Sequence, residues 1–212
     1  MQESGRERAY QYLRGQLLQD PSLAGTFLSE ASIAEEAGVS RTPVREAMLM
    51  LAGEDLVQLV PRRGAFVAPP SPTVIREVLG AREALETWAT RMVLAGGAAP
   101  VAAMQACIDR QKHDLQGREG TDREFISIDS EFHMAMITAT DNQMVQRMYE
   151  IARMRHLHIG VAAIQRYPRR RVEVIREHQA IVDALASRDE ATALDAVTAH
   201  LQATHRSLLD QA

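Results

Sequence analysis

Apolar residues recur at helical spacing through most of the chain, and the interruptions divide it in two. Tyr10, Leu13, Leu17 and Leu18 share one face of a helix over about residues 5–19, which Asp20-Pro21 ends. Thr26-Phe27-Leu28 is too short for a helix and reads as a small strand. Ser29 caps a short helix through Ala37, with Ile33, Ala34 and Ala37 inward, and Gly38 supplies the stop. Ser40 or Thr42 caps the next helix, where Pro43 fits the first turn because a missing N–H costs nothing there. That helix reaches about Glu54 with Val44, Ala47, Met48 and Leu51 buried. Two β-like runs follow at 57–60 and 65–67, joined by the hairpin loop Pro61-Arg62-Arg63-Gly64.

Ala68-Pro69-Pro70-Ser71-Pro72 cannot lie inside a helix or a central strand, so a domain boundary falls at residues 70/71. Beyond it the pattern predicts six amphipathic helices, at about 73–95, 100–117, 121–139, 142–163, 169–187 and 190–210. Gly96-Gly97, Gly117 and Gly120, Asp141-Asn142, Pro168 and Ser187-Arg188-Asp189 separate them. The expected fold class is mostly α: a winged helix-turn-helix over 1–70 and an all-α antiparallel helical bundle over 71–212.

Composition adds exclusions. With 46% hydrophobic and 25% charged residues the chain is globular, and 4% aromatics point to an aliphatic, helical core. The single cysteine, Cys107, excludes an internal disulfide framework and a cysteine-based zinc finger. No apolar run follows the N-terminus and none is long enough for a membrane span, so a cytoplasmic protein without a membrane partner is expected. The net charge of −4 argues mildly against nucleic-acid binding, and residues 1–70 hold 7 Arg against 9 Asp plus Glu. Binding, however, depends on a local patch.

That patch is legible. The third helix opens Ser40-Arg41-Thr42-Pro43-Val44-Arg45, and Arg41 and Arg45, four apart, share a face. Arginine fits guanine O6/N7 with two hydrogen bonds, while Ser40 and Thr42 can join the helix N-terminal amides on a phosphate. Arg62 and Arg63 sit at the hairpin tip, suited to phosphate or a narrow minor groove. The competing reading, ordinary solvated arginines, loses ground because both pairs occur in one helix-turn-helix frame. Glu35, Glu36, Glu54 and Asp55 must then face away from DNA.

In the bundle, four ionisable residues fall on apolar stripes. Asp129 and His133 lie along Phe125, Ile128, Phe132 and Met136, His178 falls among Val174/Ile175, Ile181/Val182 and Leu185, and His200 among Val197, Leu201, Thr204 and Leu208. Buried alone, each would be costly; a shared divalent metal (zinc, nickel, manganese or iron) would satisfy them together. The competing reading of any one is a core histidine bonded to backbone. His113, His156, His158 and His205 read as surface or helix-end residues, the remaining carboxylates as outward, and Arg169-Arg170-Arg171 as a solvated first turn. Arg82, on the stripe Val74, Val78, Leu85, Ala89, either pairs with Glu86 or clamps a ligand carboxylate. Arg155 lies on the stripe Val145, Met148, Ala152, Ile159, and an inward arginine needs an anion. Asn142 reads first as a helix cap and second as a pocket residue.

The run Phe27-Leu28-Ser29-Glu30, Ile33-Ala34, Gly38-Val39-Ser40-Arg41-Thr42-Pro43-Val44-Arg45-Glu46-Ala47, Leu51, Leu56-Val57 and Arg63-Gly64-Ala65-Phe66-Val67 resembles the DNA-binding domain of the GntR family of bacterial transcription regulators. It departs at Ala31 and Ser32, where some members carry a basic residue. The second half resembles the all-helical FCD ligand-binding domain of the FadR-like branch, in its shorter VanR-like form. Many such domains hold a metal at the floor of the effector pocket with an Asp-x3-His and two distant histidines; Asp129, His133, His178 and His200 match in order and approximate spacing, and Asn142 matches an Asn at the corresponding helix start. The resemblance implies a homodimeric regulator, by family habit a repressor, that binds double-stranded operator DNA and responds to a small carboxylic acid held near the metal and Arg82. A metal-dependent hydrolase with a DNA-binding appendage is the rival from another class.

Overall fold

The computed structural model describes residues 4–20, 23–54, 56–69, 71–117, 121–167 and 169–209. Expectations placed on Pro21, Asp55, Pro70, Gly120 and Pro168, and on the side chains of Leu18 and His158, lie outside what is described. The chain divides into two compact units, Met1–Pro70 and Ser71–Ala212.

In the first unit, α1 (Gly5–Gln19), β1 (Phe27–Leu28), α2 (Glu30–Glu36), α3 (Arg41–Gly53), β2 (Gln58–Val60) and β3 (Gly64–Phe66) follow in order. The strands form an antiparallel sheet in the order β1-β3-β2, with Leu28 opposite Ala65 and Leu59 opposite Ala65 on the other side. Ser4 accepts from Glu7 N at 3.1 Å to start α1, and Ser29 accepts from Ser32 N to start α2. Leu13 and Leu17 of α1, Ile33 of α2, and Val44, Ala47, Met48 and Leu51 of α3 close one core with Leu28, Val57, Ala65 and Val67. Gly38 takes φ 64° between α2 and α3, the sharp turn that a side chain would strain. At Gly64, with φ 92°, a Cβ would lie 2.8 Å from the Leu28 carbonyl oxygen, so only glycine lets β3 approach β1 there. Burying the 44/47/48/51 face of α3 forces positions 41, 42 and 45 outward.

The second unit is helical: α4 (Pro72–Ala95), α5 (Val101–Gly117), α6 (Asp122–Thr138), α7 (Gln143–Arg166), α8 (Arg170–Ser187) and α9 (Glu190–Leu209). Ser71 caps α4, Thr121 and Glu124 form a reciprocal capping box at α6, and Asp189 accepts from Thr192 N at 3.1 Å at the start of α9. Helix α4 packs along α9, α7 and α6; α6 packs on α5 and α7; α8 packs on α9 and α5. The inward faces of α4, α6, α8 and α9 therefore converge. Helix α7 runs three residues beyond its expected end. Among the described residues, no helix is long and apolar enough to cross a membrane.

Candidate metal centre and nucleic-acid interface

In the first unit, Arg41, Arg45, Arg62 and Arg63 line one groove of about 760 Å³ between α3 and the β2–β3 wing, with Leu49 and Leu59 in its wall. Ser40, Arg41 and Thr42 are exposed at the α3 N-terminus. Ser40 occupies the cap position without a side-chain cap bond. Arg45 donates from Nε to both oxygens of Glu30, at 2.9 and 2.8 Å. Arg62 takes the left-handed backbone, φ 64°, at the wing tip, and the Arg63 guanidinium lies 4.0 Å over the Phe27 ring. Of the acids expected to face away, Glu36 and Glu54 accept from the Tyr12 and Tyr10 hydroxyls. Glu30, which the sequence pattern did not place, lines the groove.

In the bundle, α6 carries Asp129 and His133 one turn apart, α8 carries His178 and α9 carries His200. All four are buried, and one ligand atom from each lies within 4.8 Å of the others. The His178 Nε2 stands 3.3 Å from Asp129 Oδ1, and the His133 Nε2 3.9 Å from the same oxygen. Phe132 stacks on the His178 ring at 3.9 Å, nearly parallel, and fixes its plane.

Two of the imidazoles are hydrogen-bonded from behind, and the third lies against a carboxylate. The Nδ1 of His178 meets Gln111 Oε1 at 3.1 Å, that of His200 meets Glu177 Oε2 at 2.7 Å, and that of His133 faces Glu86 Oε2 at 2.8 Å. An acceptor at Nδ1 places the proton there and turns the Nε2 lone pair toward the centre. The Nε2 atoms of His133 and His178 are buried and have no hydrogen-bond partner among the described residues; the same holds for Nδ1 of His133 and for Oδ2 of Asp129, which lies on the side of His156. Orphaned lone pairs facing one another in an apolar interior are costly, and a divalent cation is the group that satisfies them. The residues fit a metal.

Electrostatics agree. Burial pushes the Asp129 carboxyl up, but His156 and His178 beside it more than offset this and hold it well below the usual carboxylate range. Burial lowers His178 and takes His200 down to about 3, which keeps both neutral, the form that ligates metal. Glu86 is likewise held ionised, against burial, by Arg82 and His133.

Arg82 does pair with Glu86, through Nε at 2.8 Å, and Tyr149 donates to the same oxygen at 2.9 Å. Both terminal nitrogens of Arg82 are buried without a partner among the described residues. Asn142 is a cap: its Oδ1 accepts from Met144 N and Val145 N, both at 3.1 Å. Arg155 is half-buried on α7.

Four expectations need correction. His156 is buried, not at the surface, and its Nε2 lies 3.4 Å from Asp129 Oδ2. On α7 the expected stripe holds at Ala152 and Ile159, which are buried, but Met148 is exposed and its inward neighbour is Tyr149, just as His156 rather than Arg155 is buried one turn after Ala152. Not all remaining carboxylates point outward, since Glu86 and Glu177 back two of the histidines. The arginine run is not a solvated turn. Arg170 is buried and grips both oxygens of Glu177, at 2.6 and 2.8 Å, while Arg171 pairs with Asp122 at 2.6 Å.

Residues 6–67 match the bacterial regulatory proteins of the gntR family, and residues 77–203 match the FCD domain. The chain belongs to the GntR family of bacterial regulatory proteins. It is 30% identical, over 94% of its length and 83% of the relative's, to an uncharacterized HTH-type transcriptional regulator in an unstable DNA locus of Streptomyces ambofaciens. It is 28% identical to the HTH-type transcriptional repressor RspR of Escherichia coli, covering 95% of this chain and 88% of that one. In fold it resembles E. coli McbR/YncC, with a TM-score of 0.83, 21% identity and 99% of both chains covered. GntR members are transcription regulators that act on operator DNA, not enzymes, and this sets the hydrolase reading aside.

Proposed function

We propose that this GntR-family regulator is a ligand-responsive repressor whose bundle holds a divalent metal on Asp129, His133, His178 and His200. The observation that carries this is the convergence of one buried ligand atom from each of the four residues, with Nδ1 of every imidazole lying against an acceptor. A metal there would supply a positive charge on which an anionic effector can rest. Arg82 is the clamp for a small carboxylate, because its two terminal nitrogens form the fork that matches two oxygens. Arg155, half-buried on α7, is the second cation proposed for the effector. Asn142 has its oxygen committed to the α7 cap, so its part would fall to Nδ2. An effector that binds one arrangement of the units better than another shifts operator affinity by that difference.

On the DNA side, Arg41 and Arg45 read base edges, Ser40 and Thr42 hold phosphate, and Arg62 and Arg63 of the wing complete the contact. Two such heads match two half-sites when the bundle dimerises. Met144, Met148 and Ile151, exposed on one face of α7, are the apolar surface that a second copy would cover.

The test combines metal and effector. Elemental analysis of the purified chain should find about one divalent ion per protomer, and chelation should lower the melting temperature. In operator binding by fluorescence anisotropy, a panel of small carboxylates should contain members that weaken the complex, and His178→Ala should abolish their effect. Stoichiometric protein without bound metal, unmoved by chelator, would refute the proposal.

A further inference from the structure

We infer that His156 is a positioning residue of the metal centre: once an ion draws Oδ1 of Asp129, the Nε2–H of His156 takes Oδ2, which the structure leaves 3.4 Å away and unbonded. The inference rests on the metal reading above and adds a fifth residue to it.

Four observations carry it. His156 is only 4% exposed, and a buried imidazole is costly unless a partner uses it. Its Nε2 lies 3.4 Å from Asp129 Oδ2, on the opposite oxygen from the one that faces His178 and His133. His156 does not belong to the set of ligand atoms within 4.8 Å of one another, so it stands behind Asp129 rather than among the ligands. Two ligand histidines are hydrogen-bonded from behind, by Gln111 and Glu177, and Glu86 lies 2.8 Å from Nδ1 of the third; Asp129 is the fourth ligand, and His156 extends the pattern.

The backbone accommodates this placement. Gly160 lies one turn beyond His156 on α7, and a Cβ there would meet Ile126 of α6 at 3.0 and 3.2 Å and His156 Nε2 at 3.5 Å. A mid-helix glycine weakens a helix relative to alanine. Here it lets α7 close on α6 near the Asp129 carboxylate.

The separation of 3.4 Å is the outer edge of hydrogen bonding. An ion drawing Oδ1 away would leave Oδ2 to His156 alone. This requires the proton of His156 on Nε2, whereas the three ligand histidines carry theirs on Nδ1.

The experiment measures metal affinity of the full chain by competition with a chromophoric chelator, using zinc and then nickel. His156→Ala should bind about 10–100-fold more weakly than wild type. His156→Gln, whose Nε2 amide can replace the imidazole donor, should recover most of that loss. Long-range ¹H–¹⁵N spectra of the metal-free wild type should give His156 the Nε2–H pattern and His133, His178 and His200 the Nδ1–H pattern. Wild-type affinity in His156→Ala, or a Gln variant no tighter than Ala, overturns this inference and leaves the metal reading intact. Wild-type protein that takes up neither ion overturns both. Should the alanine variant fail to fold, the tautomer spectrum decides, and an Nδ1–H pattern at His156 overturns the inference.

Discussion

Arg169, Arg170 and Arg171 stand in sequence at the start of α8, in three different environments. Arg170 is 4% exposed, donates to both oxygens of Glu177, and reaches Thr204 Oγ1 at 3.0 Å. Removing one member of a buried pair costs about 3–5 kcal/mol, because the other charge is left uncompensated. Glu177 is 16% exposed and keeps His200, so the lower end, about 3 kcal/mol, applies to Arg170→Ala. For a chain of this size each kcal/mol moves the midpoint by about 2–4 °C, which gives a fall of about 6–12 °C. Arg171 pairs with Asp122, itself 31% exposed, so Arg171→Ala should cost about 1 kcal/mol, or about 2–4 °C. Arg169 is exposed, and its alanine variant should stay within about 0.5 kcal/mol of wild type. Thermal melts of the metal-free chain at neutral pH, followed by circular dichroism, test the order. Arg170→Met separates charge from packing, since it keeps most of the apolar stem. A shift below about 2 °C for Arg170→Ala, or a larger shift for Arg171→Ala, would refute the reasoning.

Further predictions concern DNA, pH and assembly. Arg41→Ala or Arg45→Ala should weaken operator binding by about 1–3 kcal/mol and relax base preference, as read by binding to a panel of single-base operator variants; unchanged specificity in both would misplace the reading head. In the metal-free chain, burial depresses His156 to about 4 and His200 to about 3, below the ordinary 6.5. The unfolded chain therefore takes up protons that the folded one refuses, so this stability is whole above pH 6.5 and drains away as pH falls from 6.5 towards 3. Glu177 has its carboxyl held at about 2, where His200 and Arg170 overcome the upward push of burial, and it adds a further loss below pH 4.5. Denaturant midpoints that stay flat from pH 7 to pH 4 would contradict this. Ile151→Glu should turn a dimer into a monomer in sedimentation and weaken operator binding; a variant that still sediments as a dimer would place the interface elsewhere.

Most helix boundaries were legible because glycine, proline and capping residues punctuate the chain with little ambiguity. Ser71, Thr121 and Asn142 each cap where the pattern placed a helix start. The four candidate ligands were legible because one apolar stripe each on α6, α8 and α9 fixes a direction. Helix α7 misled because it is apolar on two faces. Exposed Met148 entered the expected stripe beside Ala152 and Ile159, which are buried, and Arg155 took the inward place that belongs to His156. Glu177 and Arg170 escaped for another reason. They lie seven residues apart along one side of α8, and only the packing of α9, which brings His200 and Thr204 alongside, turns that side inward. The pairing of Arg82 with Glu86 was readable from their spacing of four, but the contact with His133 needed α6 against α4.

All six helices of the second unit contribute a polar group to one buried assembly: Glu86 from α4, Gln111 from α5, Asp129 and His133 from α6, His156 from α7, His178 from α8 and His200 from α9. Such an arrangement evolves as a block. If the assembly holds the proposed ion, a lineage could not dispense with it through one substitution, because a single replacement strands a charge or a lone pair on a neighbouring helix. Descendants should therefore retain nearly the whole constellation or have rebuilt it in apolar side chains, with few surviving halfway forms.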